Sequence, residues 1–226
     1  MQRLIVFLLP VFFFFGCNSS QTETTEENKF TSENMKEDNR PVILCFGNSL
    51  TAGYGLEIEQ SYPSLLQKRL DSLSLNFHVI NAGNSGETTS GGLNRLEWVI
   101  EQIEQPIEFF VLELGANDGL RGVSTKETAK NLIELIRKVK ELSPETVVVL
   151  AGMKTLPNMG ADYALEFEQV FLDVANETKV ELIPFFLDGV AGVPELNQED
   201  GLHPTAQGTA LVENNVWQVL KDLVQK

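Results

Sequence analysis

Five short apolar runs constrain the fold more than any other feature of the chain. They span residues 42–46, 77–80, 109–114, 146–151 and 180–185. Each is rich in β-branched or aromatic residues and nearly continuous. A strand with one wet face alternates apolar and polar side chains, so continuous runs predict strands covered on both faces, as in a parallel sheet. Between the runs, apolar residues recur at helical spacing. Tyr62, Leu65, Leu66, Leu70 and Leu73 form one stripe, and Leu93, Leu96, Ile100 and Ile103 the next. Ala129, Leu132, Ile133 and Ile136 form a third, and Tyr163, Phe167, Val170, Phe171 and Val174 a fourth. Val212, Val216, Leu220 and Leu223 form the last, with Pro204 read as its first helical residue. Strand–helix alternation predicts right-handed crossovers and a flavodoxin-like three-layer α/β/α sandwich around a five-stranded parallel sheet.

The first 39 residues stand outside that pattern. Arg3 precedes an apolar run at 4–15, interrupted only by Pro10 and too short for the roughly 20 residues of a membrane-spanning helix. Gly16-Cys17 follows. A small residue before Cys at the end of such a run resembles a bacterial lipoprotein signal over residues 1–17, with Cys17 lipidated; Phe14 stands where such signals usually carry Leu. An ordinary cleaved signal peptide is the alternative, and the polar stretch that starts directly after Cys17 favours the lipoprotein reading. Residues 18–39 hold only Phe30 and Met35 as large apolar side chains, which predicts a disordered polar linker. The folded domain is then 40–226, exported and held on the membrane, facing the periplasm or cell surface.

The 226 residues carry a formal net charge of -15, and from Arg40 onward 14 basic residues face 26 acidic ones. An acidic domain argues against nucleic-acid binding, which needs Lys/Arg stripes. With two cysteines and no Cys-x-x-Cys pair, a structural metal site is not expected. Cys45 lies in an apolar run and reads as a buried, inert thiol, leaving no disulfide within the domain.

In a sheet of this kind, ligands bind beyond the carboxyl ends of the strands. That places the loops 47–55, 81–92, 115–122 and 190–203 at the site. Only two histidines exist. His78 falls inside a strand and reads as structural or surface. His203 sits in Asp200-Gly-Leu-His203, where the carboxylate can reach the imidazole Nδ1–H and fix its tautomer. Ser49 follows the first strand in Gly47-Asn-Ser-Leu50; alone it is an ordinary helix cap or turn serine. Gly83 and Asn117 end the second and third strands, each with a bland turn reading of its own. Together they form a parts list for acyl transfer: a nucleophile, N–H donors for an oxyanion and an Asp–His pair.

Gly47-Asn-Ser-Leu50, Gly83, Gly115-Ala-Asn-Asp118 and Asp200-Gly-Leu-His203 resemble the four blocks of the SGNH (GDSL) hydrolases, over nearly the whole domain. The longer strings at 47–54, 113–122 and 182–186 are similar to the multifunctional thioesterase/lysophospholipase/arylesterase branch. The resemblance implies Ser49 as nucleophile, Asp200 and His203 completing a triad, and Ser49, Gly83 and Asn117 as oxyanion donors. It implies no cofactor and an acyl ester, thioester or lysophospholipid substrate. One departure is Asn48, where the family string carries Asp; that position is outside the triad. Leu120, Met153, Leu156 and Pro157 are read as lining an acyl groove. No protein partner is implied. Two other readings remain: a carbohydrate O-acetyl esterase of the same fold, and a non-catalytic lipid- or glycan-binding lipoprotein. A phosphate-binding module ranks lower, because the loop 81–92 has no Lys and no phosphate-loop string occurs.

Overall fold

The computed structural model describes residues 38–225. The expectations for the signal segment, for Cys17 and for the linker up to residue 37 fall outside the described residues. Five strands form the sheet: β1 (Val42–Gly47), β2 (His78–Gly83), β3 (Ile107–Glu113), β4 (Val147–Ala151) and β5 (Glu181–Ile183). Their order is β2-β1-β3-β4-β5 and every pairing is parallel, the flavodoxin-like arrangement expected. Pro41 leads into β1 at one pole of the sheet, and all five strands end at the other.

Among the described residues, seven helices follow or separate the strands: α1 (Ser49–Ala52), α2 (Tyr62–Ser72), α3 (Thr89–Glu101), α4 (Ala116–Leu120), α5 (Thr125–Leu142), α6 (Ala161–Thr178) and α7 (Ala206–Leu220). Helix α5 packs between α3 and α6, while α2 packs on α7. The predicted stripes face inward: Leu66 and Leu70 of α2, Leu96 of α3, Leu132 and Ile136 of α5, and Phe167 and Phe171 of α6 are buried. Every β1 residue is buried, which is why its sequence runs apolar without alternation. Each fully buried Leu, Ile or Phe side chain contributes about 1.5–3 kcal/mol relative to exposure. Cys45 is wholly buried and unpaired, and burial pushes its thiol up to about 12.

Three expectations shift. β2 runs three residues past its apolar stretch, because Asn81, Ala82 and Gly83 pair in register with Cys45, Phe46 and Gly47. β5 is only three residues long, so half of the run 180–185 lies outside the sheet. Helix α7 starts at Ala206 with Thr205 as its cap, the hydroxyl accepting the Gly208 N–H at 3.3 Å. Pro204 precedes that cap and forms an antiparallel bridge with Asn197 instead of opening the helix.

Strand order reverses between β2-β1 and β3-β4-β5, so a crevice opens at the carboxyl ends of β1 and β3.

Candidate active site

Ser49 is the first residue of α1, directly beyond β1. Asn48 caps that turn, its Oδ1 accepting the Leu50 N–H at 2.9 Å. The other end of the Asn48 amide donates to Oε1 of Glu113 at 2.7 Å. Oε2 of Glu113 accepts the Asn48 backbone N–H at 3.1 Å and the Thr51 hydroxyl at 2.8 Å. One buried carboxyl at the end of β3 thus grips the turn on both sides of the serine. Burial raises Glu113 to about 8 against the pull of these donors.

His203 reaches Ser49 from the far end of the chain, with Nε2 2.8 Å from the serine Oγ. Its Nδ1 lies 2.6 Å from Oδ2 of Asp200. Asp200 stays ionised, lowered to about 2 by the His203 backbone N–H, with the imidazole and the Leu202 N–H adding to it. A carboxylate only accepts, so the imidazole proton belongs on Nδ1 and the Nε2 lone pair faces the serine hydroxyl. The local turn builds this geometry: Oδ1 of Asp200 accepts the Leu202 and His203 N–H groups at 2.8 and 3.0 Å, while Gly201 takes φ +68°. The Tyr54 ring packs on the imidazole, centroids 4.7 Å apart.

The structure brings Asn117 to the crevice but not Gly83. The Gly83 N–H donates to Asn81 Oδ1 at 2.9 Å. A Cβ on Gly83 would stand 2.2 Å from the Ala52 nitrogen, so this glycine exists to let α1 lie on β2. The glycine of this loop that lines the crevice is Gly86, at φ +79°. Its N–H, like that of Ser49, donates to no group among the described residues. Asn117 gives one amide N–H to Glu87 O at 3.0 Å, which orients the side chain and leaves the second N–H for a ligand. Asp118, next in α4, accepts the Thr89 N–H at 2.9 Å and the Thr89 hydroxyl at 2.5 Å, tying α4 to the start of α3. Sequence reasoning missed Gly86 because two glycines three apart in one polar segment look alike.

Behind these loops lies a half-hidden ion pair. Arg95 of α3 binds Glu87 at 2.5–2.8 Å and donates to Ala82 O at 2.8 Å and Gly47 O at 3.1 Å. Its guanidinium stacks on Phe46, 3.9 Å from the ring centre. One side chain thereby holds together the ends of β1 and β2 and the loop carrying Gly86.

The crevice holds about 590 Å³. Leu50, Leu120, Leu156, Phe185 and Leu187 give it apolar walls. Leu120 and Leu156 are where the sequence placed them. Met153 is not: it is 2% exposed and belongs to the core, since it follows β4 before the chain turns outward. Pro157 begins a short 3-10 turn at 157–159, beside Leu156. Lys154 also lines the crevice, 2.8 Å from Glu168 and over the Phe185 ring.

A serine hydroxyl on an imidazole nitrogen, an ionised carboxylate behind it and free N–H groups alongside can attack a carbonyl and hold the resulting oxyanion. The model of the GDSL-like lipase/acylhydrolase family matches residues 45–211. Esterase TesA of Pseudomonas aeruginosa is 39% identical over 182 residues, covering 80% of this chain and 89% of that protein. Thioesterase 1/protease 1/lysophospholipase L1 of Escherichia coli (strain K12) is 33% identical, covering 80% and 84%. A crystal structure of TesA superposes with a TM-score of 0.76 at 38% identity, covering 80% of this chain and 99% of that one. The psychrotrophic esterase EstA from Pseudoalteromonas, solved inhibited by monoethylphosphonate, gives 0.75 at 34% identity, covering 82% and 99%. By sequence, fold and the geometry of its crevice, this chain belongs to the GDSL-like lipase/acylhydrolase family.

Proposed function

We propose that the protein is a serine ester hydrolase acting on carboxylic esters or thioesters of acyl chains, with Ser49, His203 and Asp200 as its triad. The observation that carries this reading is the relay from Ser49 Oγ through His203 to Asp200, at 2.8 and 2.6 Å, opening on an apolar crevice. Ser49 attacks the carbonyl carbon while His203 Nε2 takes its proton. The Ser49 and Gly86 N–H groups and the Asn117 amide hold the oxyanion. His203 then protonates the leaving alcohol or thiol. Water, activated by the same imidazole, releases the acid.

The apolar walls favour an acyl chain over an acetyl group, and relatives named esterase, thioesterase and lysophospholipase support acyl substrates. We assign residues 1–17 as an export signal of lipoprotein type, with Cys17 lipidated and 18–39 as the tether. The sequence order Arg3, apolar run, Gly16-Cys17 and polar segment supports this.

The test is labelling with a fluorophosphonate, followed by a chain-length series of p-nitrophenyl esters, acyl thioesters and lysophospholipid. The expected result is label on Ser49 and best turnover on medium or long chains. Acetyl-only turnover would instead indicate a carbohydrate O-acetyl esterase, and an unlabelled Ser49 a binding protein.

A further inference from the structure

We propose that Glu113 is a positioning residue for Ser49, and that Asn48 and Glu113 form a pair matched donor to acceptor which sets the nucleophile turn. The proposal rests on Ser49 being the nucleophile. The three donors aimed at Glu113 call for its ionised form, and in that form every polar atom of the pair is committed. Asn48 Oδ1 must accept, because the Leu50 N–H points at it from 2.9 Å. Its Nδ2 must therefore donate, and Glu113 Oε1 receives it at 2.7 Å. Glu113 Oε2 must also accept, because a backbone N–H of Asn48 faces it at 3.1 Å. Thr51 adds a hydroxyl donor at 2.8 Å. Ser49 sits between Asn48 and Thr51, so these bonds fix the backbone on both sides of the nucleophile.

The parity makes each position intolerant of its nearest isostere. Glu113→Gln places an NH2 group against either the Asn48 N–H or the Asn48 Nδ2–H, a donor facing a donor in both orientations. Asn48→Asp places a second carboxyl at the 2.7 Å contact, where two carboxyls stay together only by sharing a proton. The double variant N48D/E113Q restores the match. The introduced carboxylate caps Leu50 and accepts from the introduced amide NH2, whose oxygen accepts the backbone N–H of residue 48. Asn48 in place of the Asp of the family string therefore removes the need for a shared proton beside Ser49.

Tyr62 of α2 is the titratable side chain that acts on Glu113, and burial raises its hydroxyl, keeping it neutral. Residues 149–151 of neighbouring β4 are apolar, and Arg95 of α3 reaches the Gly47 carbonyl. Glu113 itself is wholly buried.

The experiment compares the wild type, N48D, E113Q and N48D/E113Q for kcat and KM on a p-nitrophenyl ester from pH 5 to 9, with fluorophosphonate labelling rates and thermal melts. The expected result is a loss of about tenfold or more in kcat for each single variant at little change in KM. The N48D loss should deepen as pH rises and the shared proton leaves. The double variant should return to within about threefold of wild type, with a flat high-pH limb. A double variant no faster than the poorer single variant overturns the proposal, as does wild-type kcat in either single. If both singles fail to fold, a folded and active double variant still upholds it, and an inactive one defeats it. Failure of the parent reading is separate: there the wild type itself would not label at Ser49.

Discussion

The Ser49 hydroxyl and the His203 Nε2 stand 2.8 Å apart although 154 positions separate them in the chain. Neither is held by long-range packing alone. Each sits in a short turn locked by a carboxyl group, Glu113 beneath the serine and Asp200 beneath the histidine. The two carboxyls have opposite electrostatic settings: burial raises the first, and hydrogen bonds from its own turn lower the second.

Asp200, lowered to about 2, remains a carboxylate at every pH above about 3. Its own protonation should therefore add nothing to the acid limb of log kcat/KM against pH, whose slope should not exceed one above pH 3. A slope of two above pH 3 would show the carboxylate titrating as well. Asp200→Ala should reduce kcat by about 10²–10⁴-fold, through loss of the tautomer and of support for the imidazolium. The stabilising contribution of the Asp200 turn should be present above pH 3.8 and lost as pH falls to about 2, visible as a falling melting temperature.

Gly83→Ala and Gly86→Ala should separate folding from catalysis. The first puts a methyl group 2.2 Å from the Ala52 nitrogen, so it should cost about 1–3 kcal/mol and lower the melting temperature. The second meets nothing nearer than Arg121 Nη2 at 3.9 Å but strains a residue at φ +79°. It should cost about 1–2 kcal/mol of stability and shift the loop N–H, so kcat falls more than stability. Equal effects on both readouts would count against Gly86 as an oxyanion donor.

Asn117→Ala removes the amide and its anchor on Glu87 O. We expect kcat to fall by about 10²–10³-fold with KM nearly unchanged, as for loss of a donor that acts mainly in the transition state. A rise in KM alone would assign Asn117 to ground-state binding.

Arg95→Ala leaves the Glu87 carboxyl, 4% exposed, without its partner. Breaking a buried pair from one side costs about 3–5 kcal/mol. Urea denaturation should show a clearly lower midpoint; a wild-type midpoint would refute the clamp.

Leu156→Trp should narrow the crevice and move the preferred acyl chain to shorter lengths. Each methylene shut out costs about fourfold in kcat/KM, from roughly 0.8 kcal/mol per buried CH2. An unchanged chain-length profile would place the acyl groove elsewhere.

Much of this was legible in the sequence because strands β1, β3 and β4 are buried on both faces, and continuous apolar runs have few other homes. The candidate triad could be singled out because scarce residue types mark it: of two histidines, only His203 has a carboxylate three residues before it. Gly83 was misread because its glycine character reflects the approach of α1, a tertiary contact that no local pattern records. Met153 was misread for the same kind of reason: the chain stays buried beyond the end of β4. Glu113 was passed over as a site residue, since it lies inside the apolar run 109–114 as its one charged member and no local pattern says what binds its carboxyl. Its burial follows from polar partners contributed by residues 48 and 51, more than sixty positions away.

The common direction of the strands has a practical side. Residue 41 enters β1 at the pole of the sheet opposite the crevice, about 20 Å away along the six residues of that strand. A bead, electrode or resin coupled through a handle ahead of residue 41 should leave the mouth of the pocket turned toward the liquid. Coupling through Lys154, on the rim itself, should block it.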